Sequence, residues 1–107
     1  MLAEFSILPL GVGEHLSGPL ADMLDIVDRS GIRYKFMPSG TCLEGSWTEI
    51  MEVVRRCHDG MRKKSPHVFT TIRIEDEEGA EDKLLRNIAS VEEKLGRRLA
   101  ETGGIVR

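Results

Sequence analysis

Apolar and polar side chains alternate from residue 2 to residue 8, with Ala3, Phe5 and Ile7 on one side and Leu2, Glu4, Ser6 and Leu8 on the other. A period of two is that of a strand with one face in a core. Pro9 predicts the end of this strand, and Gly11 and Gly13 a loop. Ser17 with Pro19 reads as the N-cap and first-turn pair of a helix. Its apolar stripe is Leu20, Met23, Leu24 and Val27; Asp22, Asp25 and Asp28 face elsewhere, and Gly31 stops it. Alternation resumes over residues 32–37, the Pro38-Ser39-Gly40 turn follows, and residues 41–44 form a second short strand, which predicts a hairpin. Ser46 and Glu49 have the spacing of a capping box, each side chain satisfying the other's backbone N–H at a helix start. Behind it, Trp47, Ile50, Val54, Cys57 and Met61 make one stripe, with Trp47 expected at the head of the core face. The basic end at Arg62, Lys63 and Lys64 complements the helix dipole. Ser65-Pro66 breaks the helix. Residues 67–75 alternate again, Val68, Thr70, Ile72 and Ile74 against Phe69, Thr71, Arg73 and Glu75. A last helix is expected over residues 80–95, with Leu84, Ile88, Val91 and Leu95 as its stripe and Gly96 as its stop.

The order is strand, helix, strand, strand, helix, strand, helix. It predicts an α+β, ferredoxin-like βαββαβ sandwich: a four-stranded antiparallel sheet with two helices on one face, plus an extra C-terminal helix. Residues 1–107 are read as a single domain. Ala3, Phe5, Ile7, Tyr34, Phe36, Val68, Ile72 and Ile74 are expected to face the helices. Glu4, Ser6, Arg33, Lys35, Met37, Phe69, Thr71 and Arg73 are expected on the open face, which mixes both charges with hydroxyls and two large apolar groups. Such a face, with two sheet edges, predicts self-association.

Composition narrows the function classes. In 107 residues, 15 Lys+Arg stand against 18 Asp+Glu, a net charge of −3, and 40% of residues are apolar. This is a globular composition, with no concentrated basic field for nucleic acid. No apolar run approaches the roughly 18 residues of a membrane span, and no basic region precedes an apolar stretch at the N-terminus. A cytoplasmic location is expected. Cys42 and Cys57 are read as reduced thiols with no metal spacing. His15, His58 and His67 are scattered, and Cys57 beside His58 is not a nucleophile and base pair, because adjacent helical side chains diverge. Gly11-Val12-Gly13 lacks the remainder of a phosphate-binding loop. The acidic turn from Asp76 to Asp82 reads as solvated. With no catalytic signature, no metal set and no cofactor motif, the chain is not expected to be an enzyme, and the open sheet face either lines a small-molecule site between subunits or simply faces solvent or a partner subunit.

Three segments carry a family resemblance. Ala3-Glu4-Phe5-Ser6-Ile7-Leu8-Pro9-Leu10-Gly11, the hairpin Met37-Pro38-Ser39-Gly40-Thr41-Cys42-Leu43-Glu44-Gly45 leading to Trp47, and Thr70-Thr71-Ile72-Arg73-Ile74, with Arg56-Cys57-His58 between, resemble the small thiamine-binding, YkoF-like proteins. The similarity spans about residues 2–95. It implies a ferredoxin-like subunit, assembled as a dimer or tetramer, that binds thiamine or its hydroxymethylpyrimidine part in salvage or transport. Thiamine would then be a ligand; no cofactor is implied. An aminopyrimidine needs hydrogen-bonding groups at its edge and an apolar wall against its plane, and a thiazolium favours a carboxylate. On this resemblance Ser6, Thr41 and Thr71 are candidate hydroxyls, Glu4 and Glu44 candidate acceptors, and Met37 and Phe69 candidate walls, at or near a subunit interface. The alternative is a regulatory or assembly module whose open sheet face is only a contact between subunits.

Overall fold

The structure is a computed structural model and describes residues 1–13 and 16–100; His15 of the first loop and the Gly-rich stretch 101–107 lie outside the described residues. Its elements are β1 (Leu2–Leu10), α1 (Ser17–Arg29), β2 (Arg33–Met37), β3 (Gly40–Glu44), α2 (Trp47–Arg62), β4 (His67–Glu75) and α3 (Lys83–Leu95). The four strands form one antiparallel sheet in the order β2-β3-β1-β4. Helices α1 and α2 pack on one face, α2 across β1 and β4. This is the ferredoxin-like arrangement with an added helix.

Register and alternation divide the sheet as expected. Ala3 pairs with Leu43 and Ile74, and Phe5 with Thr41 and Ile72, all on the helix side. Glu4 pairs with Cys42 and Arg73, and Ser6 with Thr71, on the open side. The core is Ala3, Phe5 and Ile7 of β1, Leu43 of β3, Met23 and Val27 of α1, and Ile50, Val53, Val54, Cys57 and Met61 of α2. The capping box forms as expected, with the Glu49 N–H donating to Ser46 Oγ at 3.2 Å and the Ser46 N–H to Glu49 Oε1 at 3.0 Å.

Several elements differ from their sequence signals. Strand β1 runs through Pro9 to Leu10, with Pro9 buried opposite Val68. Proline is tolerated because one edge of β1 has no strand partner here, so a missing N–H breaks no ladder on that side. Ser17 is the first residue of α1, and Leu16 stands at the cap without a side-chain bond. Trp47 is 58% exposed. The buried stripe begins one turn later, at Ile50, and takes in Val53. Helix α3 starts at Lys83 and buries none of its stripe fully; Leu85, Val91 and Leu95 remain exposed.

Candidate functional site

Strand β1 has nine residues and β3 five, and this mismatch makes a concavity. Pairing between them ends at Phe5 opposite Thr41. From Ser6 onward, no strand among the described residues pairs with that edge of β1, so its backbone N–H and C=O groups are left to other partners. The gap is walled by the start of α1 and by the end of the β2–β3 hairpin. Its volume is about 270 Å³, and its lining includes Ser6, Leu8, Leu20, Phe36, Met37 and Thr41.

Two side chains distinguish this concavity. Thr41 is 0% exposed, and its hydroxyl finds no hydrogen-bond partner among the described residues. A buried polar group without a partner costs about 1–3 kcal/mol. Phe36, on the helix side of β2, is 52% exposed, because it stands at the end of the hairpin beside the gap and not over the core. Gly40 sits in a crowded place at the rim: a Cβ there would lie 3.1 Å from the Phe5 carbonyl oxygen and 3.3 Å from Glu4 Oε1. The Glu4 carboxylate therefore lies against Gly40, where the concavity meets the open face.

Of the seven candidate residues, Ser6, Met37 and Thr41 are brought together in this concavity. Glu4 borders it. Phe69 and Thr71 lie on the far side of β1, opposite Leu8 and Ser6 on the open face, with Phe69 exposed and tilted against the His67 ring at 5.1 Å between centroids. Glu44 is engaged elsewhere. Its side chain is 9% exposed, Oε1 is 3.4 Å from Arg33, and Oε2 accepts the Lys83 N–H at 2.6 Å. Helix α3 has no side-chain cap of its own, since Asp82 is in the left-handed region at φ 61°. Glu44 supplies that cap from β3. The Arg33 guanidinium also holds Asp82 at 2.5 Å, and Lys83 pairs with Glu75 and Glu77. Glu44→Ala is expected to weaken α3 docking by roughly 1–2 kcal/mol, the worth of an N-cap with a favourable charge on the helix dipole. Faster amide exchange confined to α3 is the readout, and unchanged exchange contradicts this role.

Burial raises both cysteine thiols. Burial pushes the Cys57 thiol up to about 11, so it stays protonated. His58 Nδ1 lies 2.6 Å from Thr70 Oγ1 and is not paired with Cys57. Burial, and then the neighbouring Glu4 charge, raise the Cys42 thiol. Among the described residues no group of three His, Cys, Asp or Glu side chains is placed to hold a metal ion, and no helix is long and apolar enough to cross a membrane.

Phe36, Leu20 and the unpaired edge of β1 are the lining that sequence reasoning missed. Phe36 carried the alternation signal of a core residue. Only its place as the next-to-last residue of β2, just before the turn, sets it apart.

The profile of the family described as thiamine-binding protein matches residues 3–92. The chain belongs to the thiamine-binding protein family. Among individual relatives, a UPF0045 protein of Mycobacterium bovis is 32% identical over 96 residues, covering 89% of this chain and 94% of the relative. A UPF0045 protein of Bacillus subtilis is 29% identical over 100 residues, covering 88% and 96%. The fold matches a solved Methanocaldococcus jannaschii protein with a TM-score of 0.80 at 24% identity, over 86% of this chain and 95% of that one. It also matches a Thermotoga maritima protein named for thiamine biosynthesis/salvage, with a TM-score of 0.68 at 19% identity, over 89% and 94%.

Proposed function

We propose that this chain is a non-enzymatic binding protein for thiamine or its hydroxymethylpyrimidine part, acting in thiamine salvage or transport, with the pyrimidine ring seated in the concavity between β1 and the β2–β3 hairpin. The observation that carries this reading is the buried Thr41 hydroxyl, without a partner among the described residues, at the wall of a mostly apolar gap. A flat aminopyrimidine supplies what the gap lacks. Its ring nitrogens and amino group meet the Thr41 and Ser6 hydroxyls and the free backbone edge of β1, while Phe36 and Met37 cover its plane.

Size favours entry of the smaller, pyrimidine part of thiamine. The 270 Å³ of the concavity is below the roughly 300–1,000 Å³ typical of sites that enclose a whole drug-sized ligand. It suits the pyrimidine half and leaves the thiazolium at the rim, where Glu4 lies against Gly40. A cation at that carboxylate also faces Lys35 and Arg73, which share the Glu4 row of the sheet. Phe69 and Thr71, across β1, would reach the ligand only as part of a surface completed by a second copy.

Calorimetric titration with hydroxymethylpyrimidine and with thiamine tests the proposal. Both ligands are expected to bind. Phe36→Ala is expected to weaken both by roughly tenfold through loss of an aromatic stacking surface. No heat from either ligand at millimolar concentration, or an unchanged affinity in the variant, contradicts it.

A further inference from the structure

A second cleft, of about 340 Å³, lies between α1 and α2 and is lined by the two helices and the turn after α2, with no strand residue in its wall. Its floor is Met23 and Ile26 of α1 with Cys57 and Met61 of α2. The Cys57 thiol donates to the Met23 carbonyl oxygen at 3.7 Å, so the floor keeps no polar hydrogen for a ligand. Gly60 holds the space open. It sits inside α2 with an ordinary helical backbone, where glycine is the poorest helix former after proline and no left-handed angle calls for it. A Cβ there would meet only the Ile26 Cδ1 methyl, at 3.4 Å, an ordinary contact. Neither backbone nor crowding explains a glycine at this position; its bareness provides room.

The rim is charged, unlike the floor. Asp22 of α1 and Lys64 form an ion pair between the two walls. Lys63 stands beside Lys64 on the same rim and is in no ion pair among the described residues. One lysine is neutralised and one is left over.

We infer that this cleft is a binding site for an amphipathic anion, an aliphatic carboxylate whose chain lies along the floor and whose head group meets Lys63 and Lys64 at the rim. The volume falls within the roughly 300–1,000 Å³ of small-molecule sites. Two methionines on the floor adapt to chains of different shape, because an unbranched thioether turns easily among rotamers. The lysine stems add apolar cover above the chain while their ammonium groups stay in water. The charges choose the head group. A cationic head would face both lysines, with the nearest carboxylate, Asp22, already taken by Lys64. A neutral head would leave Lys63 without a partner. The inference does not rest on the pyrimidine reading, since Met23 is the one residue common to the linings of the cleft and the concavity.

Octanoate is the probe, titrated by calorimetry into the full chain, with hexanoate and octanol for comparison. Octanoate is expected to bind at millimolar concentration or below, and hexanoate about tenfold or more weakly, because each buried methylene is worth about fourfold in affinity. Gly60→Leu fills the cleft and is expected to abolish binding of octanoate and octanol while hydroxymethylpyrimidine binding persists, so the two sites succeed or fail separately. Lys63→Glu, at an exposed position that leaves the core untouched, is expected to weaken octanoate by roughly fivefold and to leave octanol unchanged. No heat from octanoate at millimolar concentration overturns the inference. So does equal affinity for hexanoate and octanoate, octanoate binding retained in a folded Gly60→Leu protein, or octanoate binding indifferent to Lys63→Glu.

Discussion

Replacing Thr41 by valine is expected to stabilise the unliganded protein by about 1 kcal/mol and to weaken pyrimidine binding by about tenfold or more. The two effects share one cause. Valine has nearly the shape of threonine but no hydroxyl, and at a fully buried position whose Oγ1 has no partner the substitution removes an unsatisfied polar group without opening a cavity. Most substitutions at buried sites destabilise, so a rise in midpoint would mark a group retained for something other than folding. When a ligand supplies the missing partner, the threonine protein gains a hydrogen bond in a dry site and the valine protein leaves a ligand atom unpaired instead. Thermal denaturation with and without hydroxymethylpyrimidine separates the two terms. If Thr41→Val lowers the midpoint and leaves affinity unchanged, the hydroxyl serves the fold and the proposed site loses its anchor.

The largest stability loss is expected from Ile50→Ala. Ile50 is fully buried near the start of α2, where the buried stripe of the helix begins, within the cluster that includes Phe5, Leu43 and Val27. Removing its outer carbons forfeits their transfer free energy and leaves a cavity that close-packed neighbours fill only in part, a cost of roughly 2–5 kcal/mol. That is a large share of the about 5–15 kcal/mol that holds a domain together. Trp47→Ala is the informative companion. The same apolar spacing includes Trp47, but the side chain is exposed, and its loss is expected to cost about 1 kcal/mol or less. Urea denaturation of both variants checks the contrast, and equal costs contradict the placement of the core.

The contrast between Ile50 and Trp47 shows where sequence patterns were sufficient. Alternation in β1, β2 and β4 assigned each side chain to the correct face of the sheet, because a strand exchanges faces at every residue and a buried face leaves no freedom in register. The capping box at Ser46 located the start of α2 for a similarly local reason. Pro9 and Trp47 were misread because their fates depend on what lies beside them. A free strand edge spares the proline, and a helix's first residue lies outside the packed turn.

The concavity was hidden for the same reason. It arises where β3 ends while β1 continues, a difference in length between two strands far apart in sequence. Neither Phe36 nor Thr41 carries a local sign that its environment is a gap. Ser6, Met37 and Thr41 were identified as candidates through family resemblance, and only the register puts them around one space. Glu44 was identified in the same way. Its bond to the Lys83 N–H belongs to α3, a helix whose position no periodicity specifies.

The position of the ligand is the central claim, and amide chemical-shift mapping of the isotopically labelled protein with hydroxymethylpyrimidine tests it most directly. The account predicts saturable shifts concentrated at Ser6 to Leu8, Phe36 to Thr41 and the start of α1, with β4 little affected. Shifts centred on Phe69, Thr71 and Arg73, or no shifts at millimolar ligand, would contradict it.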